Sequence, residues 1–162
     1  MSHLTDFDSL TPEQQACARL VLETLPHGIN VVTGTVIAAV ARTDTAFHRG
    51  ATLWLSGTSG VHAEPAAISA ATTAGDPAIH SLYLAMRRTD GGDPGYVTPC
   101  GECRQLVADL ATYTGRPITI YSLNDRLDHV QVIEHTELLP HAYGSQRLRR
   151  AGAARLANPV SA

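Results

Sequence analysis

The chain has 162 residues, of which 44% are apolar and 17% are charged, and its formal net charge is −3 at neutral pH. This length and balance predict one soluble globular domain and argue against a disordered chain. The acidic balance argues against a dedicated nucleic-acid binder, and no apolar run reaches the roughly 20 residues that a membrane-spanning helix needs.

The two ends of the chain differ in composition from its middle. Residues 1–9 are polar and acidic and lack the basic start and apolar stretch of a secretory signal, which predicts a cytoplasmic protein with a flexible N-terminus. Residues 147–162 contain four arginines among alanines and glycines and predict a disordered tail. We therefore expect one domain over residues 10–146. Its three cysteines, an odd number, argue against a disulfide framework.

Signals for helices and strands alternate along this domain. Thr11, Pro12 and Gln14 form a helix-start pattern, and apolar residues then recur at helical spacing over residues 12–25. Two β-rich runs at residues 35–41 and 46–55 predict a hairpin. Later patterns predict helices over 62–74 and 100–113, strands over 79–86, 117–123 and 130–133, and a helical turn over 136–139. This order predicts an α/β fold, a three-layer sandwich with helices on both faces of one sheet.

Two short segments concentrate the chemically active side chains: H-A-E at residues 62–64 and P-C-G-E-C at residues 99–103. Each is expected at the start of a helix, with one strand between them. Two such loop-to-helix junctions can meet at the same edge of an α/β sheet, where functional sites commonly form. The C-x-x-C pair by itself fits a metal clamp or a redox couple equally well.

His62, Cys100 and Cys103 are the predicted ligands of a Zn²⁺ ion. A catalytic zinc takes three protein ligands and leaves a fourth position open for water, and two thiolates neutralise its charge. Glu64 is expected beside the open position, where its carboxylate can carry protons from the water to the leaving group. In this order, and with Pro99 before the first cysteine, the two segments match the H-x-E…P-C-x-x-C signature of zinc deaminases.

The sequence resembles the cytidine deaminase family, including the blasticidin-S deaminases, over about residues 30–146. The matching segments are T-V-I-A-A at residues 35–39, P-C-G-E-C-R-Q at residues 99–105 and E-L-L-P-H-A-Y-G at residues 137–144. The resemblance implies a mixed five-stranded sheet between helical layers, with the last strand antiparallel, and a zinc ion. It also implies a homo-oligomer, a tetramer more often than a dimer, in which neighbouring subunits complete each site.

The residues that contact the substrate depart from the family pattern. Thr52 and Trp54 align with the N-x-E segment that binds the ribose in cytidine deaminases, and Trp54 cannot accept a hydrogen bond as a carboxylate does. Glu102 replaces the basic residue that faces the drug's carboxylate in blasticidin-S deaminases, which predicts a neutral or cationic substrate. Ala63 and Tyr143 are the other candidates that the resemblance implies for substrate contact.

The expected function is hydrolytic removal of an exocyclic amine from a cytosine-nucleoside-like or related amino-heterocycle. Three alternatives stay open at this point: a standard cytidine or deoxycytidine deaminase, a polynucleotide cytosine deaminase, and a non-catalytic zinc-binding protein. The expected partners are a small molecule and further copies of the chain, not a membrane or a nucleic acid.

Overall fold

The computed structural model describes residues 2–57, 59–92 and 95–157, with the side chain of Ser59 left out. The strands are β1 (His3–Asp6), β2 (Ile29–Asn30), β3 (Thr35–Arg42), β4 (Phe47–Ala51), β5 (Leu53–Ser56), β6 (Ser59–Val61), β7 (Ser81–Arg88), β8 (Thr119–Leu123) and β9 (His129–Glu134). The α-helices are α1 (Pro12–Thr24), α2 (Ala63–Thr73), α3 (Gly101–Thr114), α4 (His135–Leu138) and α5 (Gln146–Ala157). In these ranges, no helix combines the length and the apolar character that crossing a bilayer requires.

The central sheet is mixed and has the strand order β1-β9-β8-β7-β3-β4. Strands β7 and β8 are parallel, and the other neighbouring pairs are antiparallel. The mixed sheet and the antiparallel last strand, β9, agree with expectation. The sheet has six strands rather than five because β1 pairs with the outer edge of β9.

Helices cover both faces of this sheet, which confirms the three-layer sandwich. The buried side chains of α2 and α3 pack on one face, and those of α1 pack on the other. Alternate residues of β3 serve the two cores, because successive side chains of a strand point to opposite faces. Ala39 and Ala41 belong to the core under α2 and α3, whereas Ala38 and Val40 belong to the core under α1. This double burial explains the uninterrupted apolar run of β3.

The second run of the predicted hairpin divides at Thr52. Strands β3 and β4 form the hairpin, in which Ala38 lies opposite Ala51. The Thr52 hydroxyl then donates to the Ile37 carbonyl and accepts from the Ile37 N–H, at 3.2 Å each. Beyond Thr52, β5 leaves the central sheet and pairs with β2 and β6 in a small three-stranded sheet. The strand pattern did not indicate this break because β-forming residues flank it on both sides.

Both terminal segments differ from the sequence expectation. Residues 3–6, expected to be flexible, form β1 because their backbone pairs with β9. Much of the expected disordered tail forms α5, which packs on α3. Gly152 allows this contact, because a Cβ there would lie 2.4 Å from the Tyr113 carbonyl oxygen. The Arg155 guanidinium also lies 5.5 Å from the centroid of the Tyr113 ring. Residues 158–162 of the tail lie outside the described residues.

Candidate metal centre

His62 lies at the N-terminal boundary of α2, directly after β6. It is the N-cap residue, but its side chain makes no capping hydrogen bond, so the imidazole is available for other contacts. Helix α2 approaches β4 closely here because Gly50 has no side chain. A Cβ on Gly50 would lie 2.4 Å from the Ala63 carbonyl oxygen and 2.3 Å from the Ala67 nitrogen. The packing of α2 on β4 therefore sets the position of His62.

Cys100 and Cys103 bring two sulfur atoms to the same place. Cys100 is the N-cap residue of α3, and Cys103 lies in its first turn. The His62 Nδ1 atom lies 3.4 Å from the Sγ atom of each cysteine, and the three donor atoms are all within 4.8 Å of one another. A tetrahedral zinc ion, with Zn–S of about 2.3 Å and Zn–N of about 2.0 Å, separates such atoms by about 3.5 Å. The spacing of the three predicted ligands thus fits a shared ion.

The chemistry of the donor set also fits zinc, because thiolate sulfur and imidazole nitrogen are its usual protein ligands. Without a bound metal ion, burial and the adjacent Glu64 raise the pKa of the Cys103 thiol above its usual value. A divalent cation has the opposite effect, since it stabilises the thiolate directly. Among the described residues, this is the single group of three His, Cys, Asp or Glu side chains spaced to share an ion.

Glu64 lies in the first turn of α2, and its side chain is only 2% exposed. Burial raises the pKa of this carboxyl, while the nearby His62 and Cys103 act in the opposite direction. Glu64 is therefore a buried carboxyl next to two of the three candidate metal ligands.

A cavity of about 180 Å³ opens beside these groups. Its lining has two parts. We call the first part the metal end, which consists of His62, Glu64, Thr98 and Cys100. We call the second part the distal wall, which consists of Asn30, Thr33, Thr35, Ile37, Thr52 and Trp54. Among the described residues of the lining, Glu64 is the one carboxylate, and none is Lys or Arg. The cavity thus offers a small, largely uncharged space next to the candidate ion site.

Thr52 and Trp54, two of the predicted substrate contacts, both line this cavity. The Thr52 hydroxyl is 5% exposed and is already bonded to the backbone of Ile37. The Trp54 ring centroid lies 6.1 Å from that of His62. The indole rests on Gly60, where a Cβ would come within 2.7 Å of the Trp54 ring. Trp54 therefore forms an aromatic surface next to the metal end, while Thr52 acts first as a structural residue.

Ala63, Glu102 and Tyr143, the other predicted contacts, do not line the cavity. Ala63 is fully buried in the core under α2. Glu102 is exposed and lies in outer grooves on the side of Pro65 and Cys103. Tyr143 is 77% exposed. Within one copy of the chain, none of these three residues lines the cavity, although Glu102 shares an outer groove with His62 and Cys103.

Arg104 supports the segment that enters α3. Its Nε atom donates to the Pro99 carbonyl oxygen at 2.7 Å, and its other nitrogens reach the Thr98 hydroxyl and the Leu138 carbonyl oxygen at 3.5 Å. The adjacent Gln105 exchanges two hydrogen bonds with the backbone of Tyr143, at 2.8 and 3.0 Å. These two residues join the start of α3 to the C-terminal part of the chain.

Sequence reasoning missed the polar residues of the distal wall outside Thr52. The Asn30 amide accepts from the N–H groups of Val32 and Thr33 and donates to the Thr33 hydroxyl and the Thr35 carbonyl. Gly34, four residues after Asn30, is a turn signal, so the turn was readable from the sequence. Its place beside the cavity was not, because that depends on how β2 pairs with β5.

Solved structures of cytidine deaminases share this fold. The protein from Burkholderia pseudomallei matches with a TM-score of 0.68 and 22% identity, over 83% of this chain and 100% of its own. The protein from Mycobacterium tuberculosis matches with a TM-score of 0.62 and 19% identity, over 83% and 100% of the two chains. The protein from Mycobacterium leprae matches with a TM-score of 0.59 and 17% identity, over 81% and 100%.

At these identities the similarity establishes the fold and leaves the activity to be argued from the site. No sequence profile of a known protein family matches the chain. The chain therefore has the cytidine deaminase fold, with a His/Cys/Cys group that could hold a metal ion at the edge of its central sheet.

Proposed function

We propose that this chain is a zinc-dependent hydrolytic deaminase of the cytidine deaminase superfamily. One observation carries the proposal: a buried carboxyl, Glu64, lies beside three converging metal donors in the wall of a cavity. The fold is that of proteins described as cytidine deaminases, and this supports the same reaction class. The proposed reaction replaces an exocyclic amine of a small heterocycle with a carbonyl oxygen and releases ammonia.

In this proposal His62, Cys100 and Cys103 bind the zinc ion. Such an ion lowers the pKa of a water molecule toward neutrality and so makes a nucleophile available. Glu64 would accept one proton of the water as its oxygen bonds to the ring carbon, and pass it to the ring nitrogen. It would then take the remaining proton from the added hydroxyl and deliver it to the amine, so that the carbon–nitrogen bond breaks, the carbonyl forms and ammonia leaves. Burial keeps competing water away from Glu64 during these transfers.

The structure argues against a polynucleotide substrate. The arginines of residues 147–155 belong to α5, which contacts Tyr113 near the C-terminal end of α3. Helix α3 has 14 residues, so that end lies roughly 20 Å along the helix from Cys100. In the part of the chain that the structure describes, the cavity lining contains no Lys or Arg that would follow a phosphate backbone.

We also propose that the chain assembles into a homo-oligomer through the small sheet. Side chains of this sheet and its neighbouring turn are large, apolar and between 45% and 69% exposed: Ile29, Val31, Leu53, Leu55 and Val61. Grouped exposed apolar side chains mark interaction surfaces. This surface adjoins the distal wall through β5, so a neighbouring copy bound there would border the cavity. Light scattering of the wild-type chain and of Leu55→Glu tests this assembly, and a monomeric wild type contradicts it.

The deaminase proposal is tested by measuring ammonia release from a panel of aminopyrimidines, aminopurines and their nucleosides. We expect wild-type protein to release ammonia from at least one compound. We expect Glu64→Gln to retain zinc but to lose roughly 10²- to 10⁴-fold in rate, the usual range for removing a general acid–base group. Glu23→Gln, an exposed change on α1, serves as the matched control. Absence of ammonia from every compound, with zinc bound, would identify a structural zinc protein instead.

A further inference from the structure

The distal wall has few hydrogen-bond acceptors left to offer a ligand. The Asn30 amide is engaged on both its oxygen and its nitrogen by the turn that follows it. The Thr33 hydroxyl already accepts from Asn30 at 2.8 Å, and the Thr52 hydroxyl is bonded to both backbone groups of Ile37. These side chains line the cavity, but the Asn30 amide is fully engaged by the protein, and the Thr33 and Thr52 hydroxyl oxygens each keep one lone pair.

The rest of the distal wall is apolar or can only donate. Ile37 contributes hydrocarbon, and Trp54 contributes an indole that has one N–H donor and no acceptor. Within the described residues, the Trp54 Nε1 atom is buried without a hydrogen-bond partner. The Thr35 hydroxyl adds another neutral acceptor to this wall. A ligand placed against the described residues of the wall therefore meets a flat aromatic surface, no carboxylate and only neutral hydroxyl acceptors.

The position of the reacting group decides which part of a ligand meets this wall. If Glu64 transfers protons to a ring, that ring lies at the metal end, and whatever it carries on its far side faces the distal wall. A ribose carries hydroxyl groups, each of which needs a partner when it is removed from water. A bare aromatic ring needs none, and it gains from stacking on an indole.

We propose that this site selects an amino-substituted heterocyclic base that carries no polyhydroxylated sugar, over the corresponding nucleoside. This inference rests on the proposed deaminase function and deepens it by naming the substrate class. Each sugar hydroxyl left unpaired disfavours the nucleoside by roughly 10-fold, so two of them separate base from nucleoside by about 100-fold. Trp54 is the residue that sets this preference.

Paired substrates test the inference directly. We expect kcat/KM for cytosine, adenine or guanine, whichever the protein deaminates, to exceed that for cytidine, adenosine or guanosine by roughly 10- to 100-fold. Calorimetric titration of zinc-loaded Glu64→Gln with the same pair measures binding without turnover, and we expect the same preference there.

Two substitutions at one position isolate the cause. Trp54→Glu supplies an acceptor, and we expect it to shift the base-to-nucleoside ratio at least 10-fold toward the nucleoside. Trp54→Phe keeps an aromatic surface without an acceptor, and we expect it to keep the wild-type preference. The wild-type comparison stands even if Trp54→Glu fails to fold.

The possible outcomes separate the two proposals. Faster turnover and tighter binding of the base support the inference. Equal or better turnover of the nucleoside overturns it and leaves the deaminase function intact. Absence of ammonia from every base and nucleoside of the panel overturns the deaminase function, and calorimetry that finds no preference for the base overturns the inference.

Discussion

The two ends of the cavity are built in different ways. The metal end takes His62, Glu64 and Cys100 from the first turns of α2 and α3, which pack on the central sheet. The distal wall takes Thr35 and Ile37 from β3 of the central sheet, and its other residues from β2, the turn after it and the segment from Thr52 into β5. The metal end is thus placed by helix starts that the core fixes, whereas much of the distal wall comes from a short strand, a turn and the small sheet, where sequence changes are tolerated more readily.

The largest effect is expected at the metal end itself. Cys103→Ala removes one of three donors, so we expect zinc content to fall from about one per chain to near zero and activity to fall at least ~10³-fold. Cys17→Ala, which removes a buried cysteine of α1, is the matched control and should keep its zinc. Elemental analysis and ammonia release measure the two quantities. A Cys103→Ala protein that still binds one zinc per chain would show that Cys103 is not needed to hold the ion at the metal end.

A substitution in β4 should weaken zinc binding, because α2 packs on β4 and positions His62. In Gly50→Ala the new Cβ meets backbone atoms of Ala63 and Ala67, which cannot rotate away. We expect the free energy of unfolding to drop by about 1–3 kcal/mol and zinc to bind more weakly. Gly57→Ala is the control, since a Cβ there has nothing within 4 Å. Chemical denaturation and competition with a chelator report the two effects, and a Gly50→Ala protein indistinguishable from this control would contradict the account.

A change in the distal wall should leave the metal end alone. Asn30→Ala loosens the turn that shapes the wall by removing the hydrogen bonds to Val32, Thr33 and Thr35. We expect KM to rise roughly 10-fold while zinc content stays at the wild-type level. Steady-state kinetics with elemental analysis test this. Loss of zinc in Asn30→Ala would show that the two ends are not independent.

The smallest effect is expected at the far end of α2, away from the cavity. Burial tends to raise the pKa of Asp76, but hydrogen bonds from Thr43, Thr45 and His48 lower it below its usual value overall. The Thr45 hydroxyl donates to Asp76 at 2.6 Å. Since the folded chain keeps this carboxylate ionised at lower pH than the unfolded chain, the stabilisation is present above about pH 4 and is lost as pH falls through the lower folded pKa.

Asp76→Asn should therefore lower the free energy of unfolding by about 1–2 kcal/mol at pH 7, and the difference from wild type should shrink below pH 4. Urea unfolding at pH 7, 4 and 3 measures this difference. Asp125→Asn, an exposed change, is the control. A difference that stays constant across this range would show that the ionised carboxylate is not the source of the stability.

The sequence indicated that His62, Cys100 and Cys103 come together, but it did not indicate most of the distal wall. The spacing of His62, Glu64, Cys100 and Cys103 is local to two helix starts, and such short-range patterns translate directly into geometry. The distal wall depends on the break at Thr52 and on the pairing of β2, β5 and β6, which are long-range features. A strand pattern of period two contains no signal for where a strand changes partners.

The structure of the two terminal segments also depends on long-range contacts that the sequence pattern does not indicate. Residues 3–6 and 146–157 have little apolar character, so their composition indicated flexibility. Their order comes from partners distant in sequence, β9 for the first segment and α3 for the second. The composition of a segment indicates whether the segment can form a hydrophobic core by itself. It does not indicate whether the segment can pack against, or pair with, a core formed by the rest of the chain.

X-ray absorption at the zinc edge, on the purified wild-type chain, tests the central claim most directly. The account predicts one zinc per chain, with two sulfur neighbours at about 2.3 Å and two nitrogen or oxygen neighbours at about 2.0–2.1 Å. One light neighbour is His62 and the other occupies the open position. A chain without zinc, or a zinc shell of four sulfurs or of none, would contradict the account.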